Sequence, residues 1–359
     1  MIKKNSSEND LDSNSYLEFV SKKVTTIMIL VVIVFILSIF AMSQGAYKIP
    51  FFKVIETVFG GGDDVEHVVI WNIRLPIIVA SILIGSSLAL SGTIMQCVMK
   101  NPLASPYTLG ISSAASFGAA LAIAGAHIPI LTGSFMGDLL NGPYGISIIA
   151  FSFAMIAVGI VLAFSRTVNS NPESMVLIGV ALGSIFSAAL SSLQYFVPDS
   201  TLSSLVYWQF GDLSKAEWNE LKIILAIFIP ILLYVVFHRL DYNAMSAGEE
   251  VAQSLGINTK RLTILTMTLS SALAAVCISF VGIIGFIGLL GPHIMRRIVG
   301  NDHRFLIPAS MLMGTFVLLA SDSLGRLAFD TVIPVGIITS FLGGPLFLYI
   351  LITNRRRAA

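Results

Sequence analysis

The chain has 359 residues, 55% of them hydrophobic and 11% charged, with a formal net charge of +1. Soluble domains carry about 25% charged residues, so an aqueous globule with one core is excluded and an all-α, polytopic membrane protein is expected. The balanced charge, with no basic patch or nucleic-acid motif beside it, argues against a nucleic-acid partner.

Residues 1–21 are polar and rich in Ser, Asn and Asp, a composition expected to form a disordered tail. With Lys22 and Lys23 they make a cytoplasmic tail, 1–23, ahead of a membrane domain, 24–354. The run "VTTIMILVVIVFILSIFAM" (24–42) loosely imitates a signal peptide. It is longer than the roughly 7–15 residues of a signal core, so a retained span is predicted.

At about 20 apolar residues per crossing, ten spans are predicted. They lie near 24–43, 68–98, 107–126, 145–166, 174–196, 220–239, 261–280, 283–299, 305–328 and 333–353. The second is long and the eighth short. With the N-terminus inside, 15 of the 21 Lys and Arg fall on the inner side, including the C-terminal "RRR". Both termini are therefore expected in the cytoplasm.

Outside, residues 44–67 carry the acidic "GGDDVE". Residues 199–218, with Tyr207, Trp208 and Trp218, suit an interfacial helix. In the fifth span Ser184, Ser187, Ser191 and Gln194 recur at steps of three and four, forming one stripe. Such a stripe suits a water-filled path or tight helix packing through small residues.

Between the sixth and seventh spans lies "NAMSAGEEVAQSLGINTKR" (243–261). Ser246 and Glu249 have capping-box spacing, and Gly256 is placed to end the helix. Val251, Ala252 and Leu255 give it a small apolar stripe. On the ninth span Asp322 and Arg326 stand four apart and are expected to pair, while His293 on the eighth reads as a structural histidine. Close Gly and Ser spacing in 84–92, 110–120 and 280–292 predicts tight helix approach. Pro102, Pro106, Pro292 and Pro345 are expected to punctuate or break helices near span ends.

Chemistry is sparse. No phosphate-binding loop, zinc spacing or nucleophile elbow occurs, so no enzyme, cofactor or metal site is expected. Cys97 and Cys277 fall in apolar runs and read as small hydrophobes. A secondary transporter or channel without an ATPase partner would carry intramembrane carboxylates and no docking helix; the sequence has the opposite pattern on both counts.

Several segments together resemble the permease subunits of the ABC importers for ferric siderophores, haem and cobalamin. They are "NIRLPIIVASILIGSSLALSGTIMQCVMKNPLASPYTLGISSAASFGA", "LIGVALG" (177–183), "AGEEVAQSLG" and "GFIGLLGPHIMRRIVGNDHR", and the similarity runs from about 65 to 353. The resemblance implies ten helices, a second permease subunit forming a homodimer around a central path, two ATPase subunits, and an extracytoplasmic substrate-binding protein at the cell membrane. It implies ferric siderophore or haem as cargo, with cobalamin as the alternative. It places coupling helices at about 243–257, with Ser246, Gly248, Glu249, Glu250, Val251, Ala252, Leu255 and Gly256 contacting the ATPase. It puts Ser184, Ser187, Ser191 and Gln194 on the path and a cytoplasmic gate at Asn171, Pro172 and Glu173, where small hydroxyl residues would be usual. It puts binding-protein docking on Arg74 and Arg326, with Ile77 standing where the family has a second arginine.

Overall fold

The computed structural model describes residues 5–45, 47–126, 135–167, 172–328 and 331–358. In chain order the helices are α1 (Asn5–Ser43), α2 (Phe51–Val58), α3 (Asp64–Val68), α4 (Leu75–Val98), α5 (Ile111–Gly125), α6 (Phe135–Asn141), α7 (Gly145–Thr167) and α8 (Pro172–Phe196). Then come α9 (Asp199–Gln209), α10 (Trp218–Phe237), α11 (Arg239–Ala247), α12 (Glu249–Ser254), α13 (Thr259–Val281), α14 (Ile287–Val299), α15 (His303–Leu327) and α16 (Val335–Ala358). A π turn, Val69–Arg74, joins α3 to α4 in one continuous helical run.

All ten predicted spans coincide with helices. Among the described residues, seven are long and apolar enough to cross a membrane. The third and tenth, at Ile111–Gly125 and Val335–Tyr349, are shorter apolar helices, and the eighth, α14, has only 13 residues.

α1 begins at Asn5, so its helical run includes the polar segment ahead of the first span. Once the apolar run nucleates the helix, each further residue adds one bond for one residue fixed. Pro292 and Pro345 lie inside α14 and α16 rather than ending them. The break falls instead at Gly282–Phe286, which is not helical, where the Tyr107 hydroxyl donates to the Ile284 carbonyl.

The core centres on α4, buried along nearly its whole length against α13, α14 and α15. Glycine makes this seam close. A Cβ on Gly92 would overlap the Gly288 carbonyl, and one on Gly85 would come within 2.8 Å of the Gly314 oxygen. Ser86 and Thr315 share a hydrogen bond of 3.0 Å across the same seam. The periphery is looser: α8 has 17% of its apolar window buried, against 67% for α13.

Both outer segments are ordered by local chemistry. Asp63 and Glu66 form a capping box at α3, and Lys53 of α2 reaches the Glu66 carboxylate at 2.6 Å. The expected interfacial helix is α9; Trp208 is buried while Tyr207 is exposed. Trp218 Nε1 donates to the Trp71 carbonyl at 3.0 Å.

At the end of α15, Arg326 Nε donates to Asp322 Oδ2 at 2.8 Å, and the carboxylate is 8% exposed. Removing one partner of a buried pair leaves the other charge unpaired, a loss of about 3–5 kcal/mol when burial is complete. Arg326→Gln is therefore expected to lower the melting temperature of the solubilised protein. Asp322→Asn/Arg326→Gln should recover most of it. Identical melting of Arg326→Gln and the parent would show that the pair is energetically idle.

Candidate functional site

The residues of 243–257 gather at one end of the bundle, built differently from the expected single helix. Ser246 does not cap it. The stretch is divided at Gly248, with φ 141° and ψ 151°, which ends α11 and precedes α12 with no side-chain cap. Only glycine adopts that backbone readily, so Ser246 stays within α11, its hydroxyl 3.4 Å from Cys97 Sγ. The far end follows expectation. Gly256, at φ +83°, follows α12 in a Schellman arrangement, with Gly256 N–H donating to Gln253 O and Ile257 N–H to Ala252 O.

Glu249 turns toward its own chain. Its carboxylate takes a hydrogen bond from Thr259 Oγ1 at 3.1 Å and faces Lys100 Nζ at 3.3 Å. The short α12 is thus tied to the first turn of α13 and to the segment after α4. Ala252 is fully buried beneath it, while Val251 is 44% and Leu255 67% exposed. Glu250 is exposed beside them. The expected contact set therefore splits: Glu249 and Ala252 hold the helix in place, and Glu250, Val251 and Leu255 face outward.

Behind this element lies a cleft of about 370 Å³, lined by Gln96, Lys100, Ser246, Arg296 and His303 among others. Arg296 donates to Gln96 Oε1 at 3.0 Å. Nearby, Asn243 of α11 meets the start of α15. Its Nδ2 donates to Asp302 Oδ1 at 2.9 Å, and its Oδ1 accepts from the His303 backbone N–H at 2.7 Å. Burial works against the Asp302 carboxylate, but hydrogen bonds from Arg304 and Asn243 outweigh it and hold the group at about 2. Lys100, Asn243 and Asp302 were not legible as site residues, because their partners lie far away in sequence; Thr259 lies only ten residues from Glu249, but its spacing carried no signal. Only "NDHR", quoted above for the resemblance, was a signal.

On α8, Ser184, Ser187 and Ser191 are exposed and Gln194 is half-buried. The opposite face, with Met175, Gly179 and Leu190, packs inward. Ser184 donates to the Val180 carbonyl and Ser187 to Ser113 Oγ at 3.2 Å. Among the described residues, the three serines thus stay open while Gln194 is partly covered. Pro172 and Glu173 form the first turn of α8; Asn171 lies outside the described residues.

At the other end of the bundle, Arg74 donates to the carbonyls of Met42 and Tyr47, close enough to Arg326 to feel its charge. The pair Asp322–Arg326 leaves one net positive charge in this trio. Among the described residues no group of three or more His, Cys, Asp and Glu could hold a metal ion.

The FecCD transport family matches residues 30–353. This chain belongs to that family. An ABC transporter permease protein of Methanocaldococcus jannaschii is 46% identical, over 95% of this chain and 98% of its own length. The Fe(3+)-citrate import system permease YfmE of Bacillus subtilis is 38% identical over 92% and 96%. Among solved structures, a metal-chelate type ABC transporter in an inward-facing conformation matches with a TM-score of 0.79 at 29% identity, covering 91% of this chain and 98% of that one. FecCD members such as these are membrane-spanning permeases of ABC importers, and so is this chain.

Proposed function

We propose that this FecCD permease moves a ferric chelate, a siderophore or haem, into the cell, driven by a separate ATPase subunit. The observation that carries the coupling is α12: a helix fastened by Glu249 on one side and presenting the exposed Val251 and Leu255 on the other. A stiff, partly apolar element passes on displacement where a flexible linker absorbs it. ATP hydrolysis then takes place on the partner, and this chain is a transport subunit without catalysis of its own.

In this reading both termini and α12 face the cytoplasm, as the Lys and Arg distribution favours. The Arg74–Arg326 end faces outward and receives a substrate-binding protein. Two copies of the chain enclose the path. Support for the pairing comes from α8, whose polar stripe would otherwise face lipid. Ser184, Ser187, Ser191 and Gln194 then line the path, and Asn171, Pro172 and Glu173 form its inner gate. A weakly polar wall suits a bulky cargo that it does not grip, leaving specificity to the binding protein.

Solubilising the complex from its native membrane tests this. The proposal expects a co-purifying ATPase with a Walker motif, and vesicles that accumulate ferric chelate only when ATP is supplied. Uptake without ATP, or a permease that purifies without an ATPase, would overturn it.

A further inference from the structure

The polar clamp between α11 and α15 has no place in a simple docking account. Asn243 uses both ends of its amide there. Besides the bond to Asp302 and the bond from the His303 backbone, its Oδ1 accepts from the His303 ring at Nδ1, 2.9 Å away. Asp302 in turn caps the first turn of α15 through the Arg304 N–H and grips the Arg304 guanidinium. Next to Asn243, Tyr242 is fully buried and its hydroxyl shares a hydrogen bond of 2.9 Å with Thr266 of α13. The clamp thus sits five residues before Gly248, where α11 gives way to α12.

From that clamp α15 runs 25 residues without interruption, although Pro308 falls in its second turn. At about 1.5 Å per residue this spans ~37 Å. Its other end carries Asp322 and Arg326, beside Arg74. Along its length it lies against α4, with the two backbones in close approach at Gly85 and Gly314. One helix therefore joins the element facing the ATPase to the arginines on the opposite face.

We propose that Asn243 is the positioning residue through which movement of α11 and α12 enters α15, and that α15 carries it to the opposite membrane face. The proposal rests on the docking role of α12 given above. Asn243 acts through Asp302 and His303.

The test uses the whole complex in lipid vesicles, with a reporter at Leu327→Cys at the far end of α15, where the side chain is 47% exposed. Both native cysteines are buried, so maleimide reads the introduced thiol. In the parent complex, trapping with ATP and vanadate is expected to change the maleimide rate by about fivefold, the lower end of ordinary coupling between sites. Asn243→Ala should abolish that change while ATP hydrolysis persists, a combination that mere loss of stability would not give. Asn243→Asp/Asp302→Asn, which re-forms the hydrogen bonds with roles exchanged, should restore it.

If Asn243→Ala does not accumulate, Asn243→Asp gives the same reading. It keeps the bonds from His303 and sets carboxylate against carboxylate. An unaltered ATP response in either single variant overturns the proposal, as does a parent whose Leu327→Cys rate ignores ATP. A parent complex without an ATPase overturns the docking role as well, and the two failures are thereby distinct.

Discussion

Gly92→Val is expected to leave almost no folded protein in the membrane. The Gly92 position has no spare volume: a Cβ there would overlap the Gly288 carbonyl and come within 2.8 Å of the Gly288 Cα. The atoms in the way are backbone, so no side chain can rotate aside. Overpacking a core by a methylene typically costs about 1–3 kcal/mol, and displacing a buried helix backbone belongs above that range. Gly→Ala in a helix otherwise gains close to 1 kcal/mol, so the control is Gly159→Ala on α7, where nothing lies within 4 Å. That variant should equal or exceed the parent in yield and melting temperature. Equal yield and melting for Gly92→Val and the parent would mean that α4 and α14 do not approach as described.

Leu255→Asp is expected to strip the ATPase from an otherwise intact permease. The side chain is 67% exposed, so the isolated permease should insert and melt as before. At an interface, an apolar anchor of this kind contributes about 2–4 kcal/mol, which corresponds to a loss of roughly 30- to 1000-fold in affinity. Quantitative co-purification reads the effect directly. Glu249→Lys behaves differently, since it would set two lysines against each other at Lys100 and release α12 from its own chain. If Leu255→Asp binds the ATPase as tightly as the parent, the outward face of α12 is not the docking surface.

Much of the fold could be read from the chain because a bilayer imposes length. About 20 apolar residues per crossing located a helix for each of the ten predicted spans, and the step of four between Asp322 and Arg326 gave their pairing. The glycine and serine spacing of 84–92 likewise pointed to the α4 seam. What escaped is what depends on partners distant in sequence or on one backbone angle. Ser246 and Glu249 have the spacing of a cap, yet Gly248 opens the chain between them and puts each to another use. Asn243 is an ordinary polar residue until α15 arrives beside it. Pro292 looked like a break, but the helix starts at Ile287 and absorbs it one turn and a half later.

The unwound stretch Gly282–Phe286 has a consequence for the interior. Since α14 is ten residues shorter than α13, this stretch must cover depth that a helix would otherwise span. Its peptide groups lie where hydrocarbon offers them nothing, and a single phenol answers the carbonyl of Ile284. Non-helical backbone at such depth persists only against protein or water. Here protein supplies that cover: the Ile283 carbonyl abuts Gly211 and Gly336, and Trp208 O lies against Gly282, so a side chain at any of these three glycines would unseat the stretch.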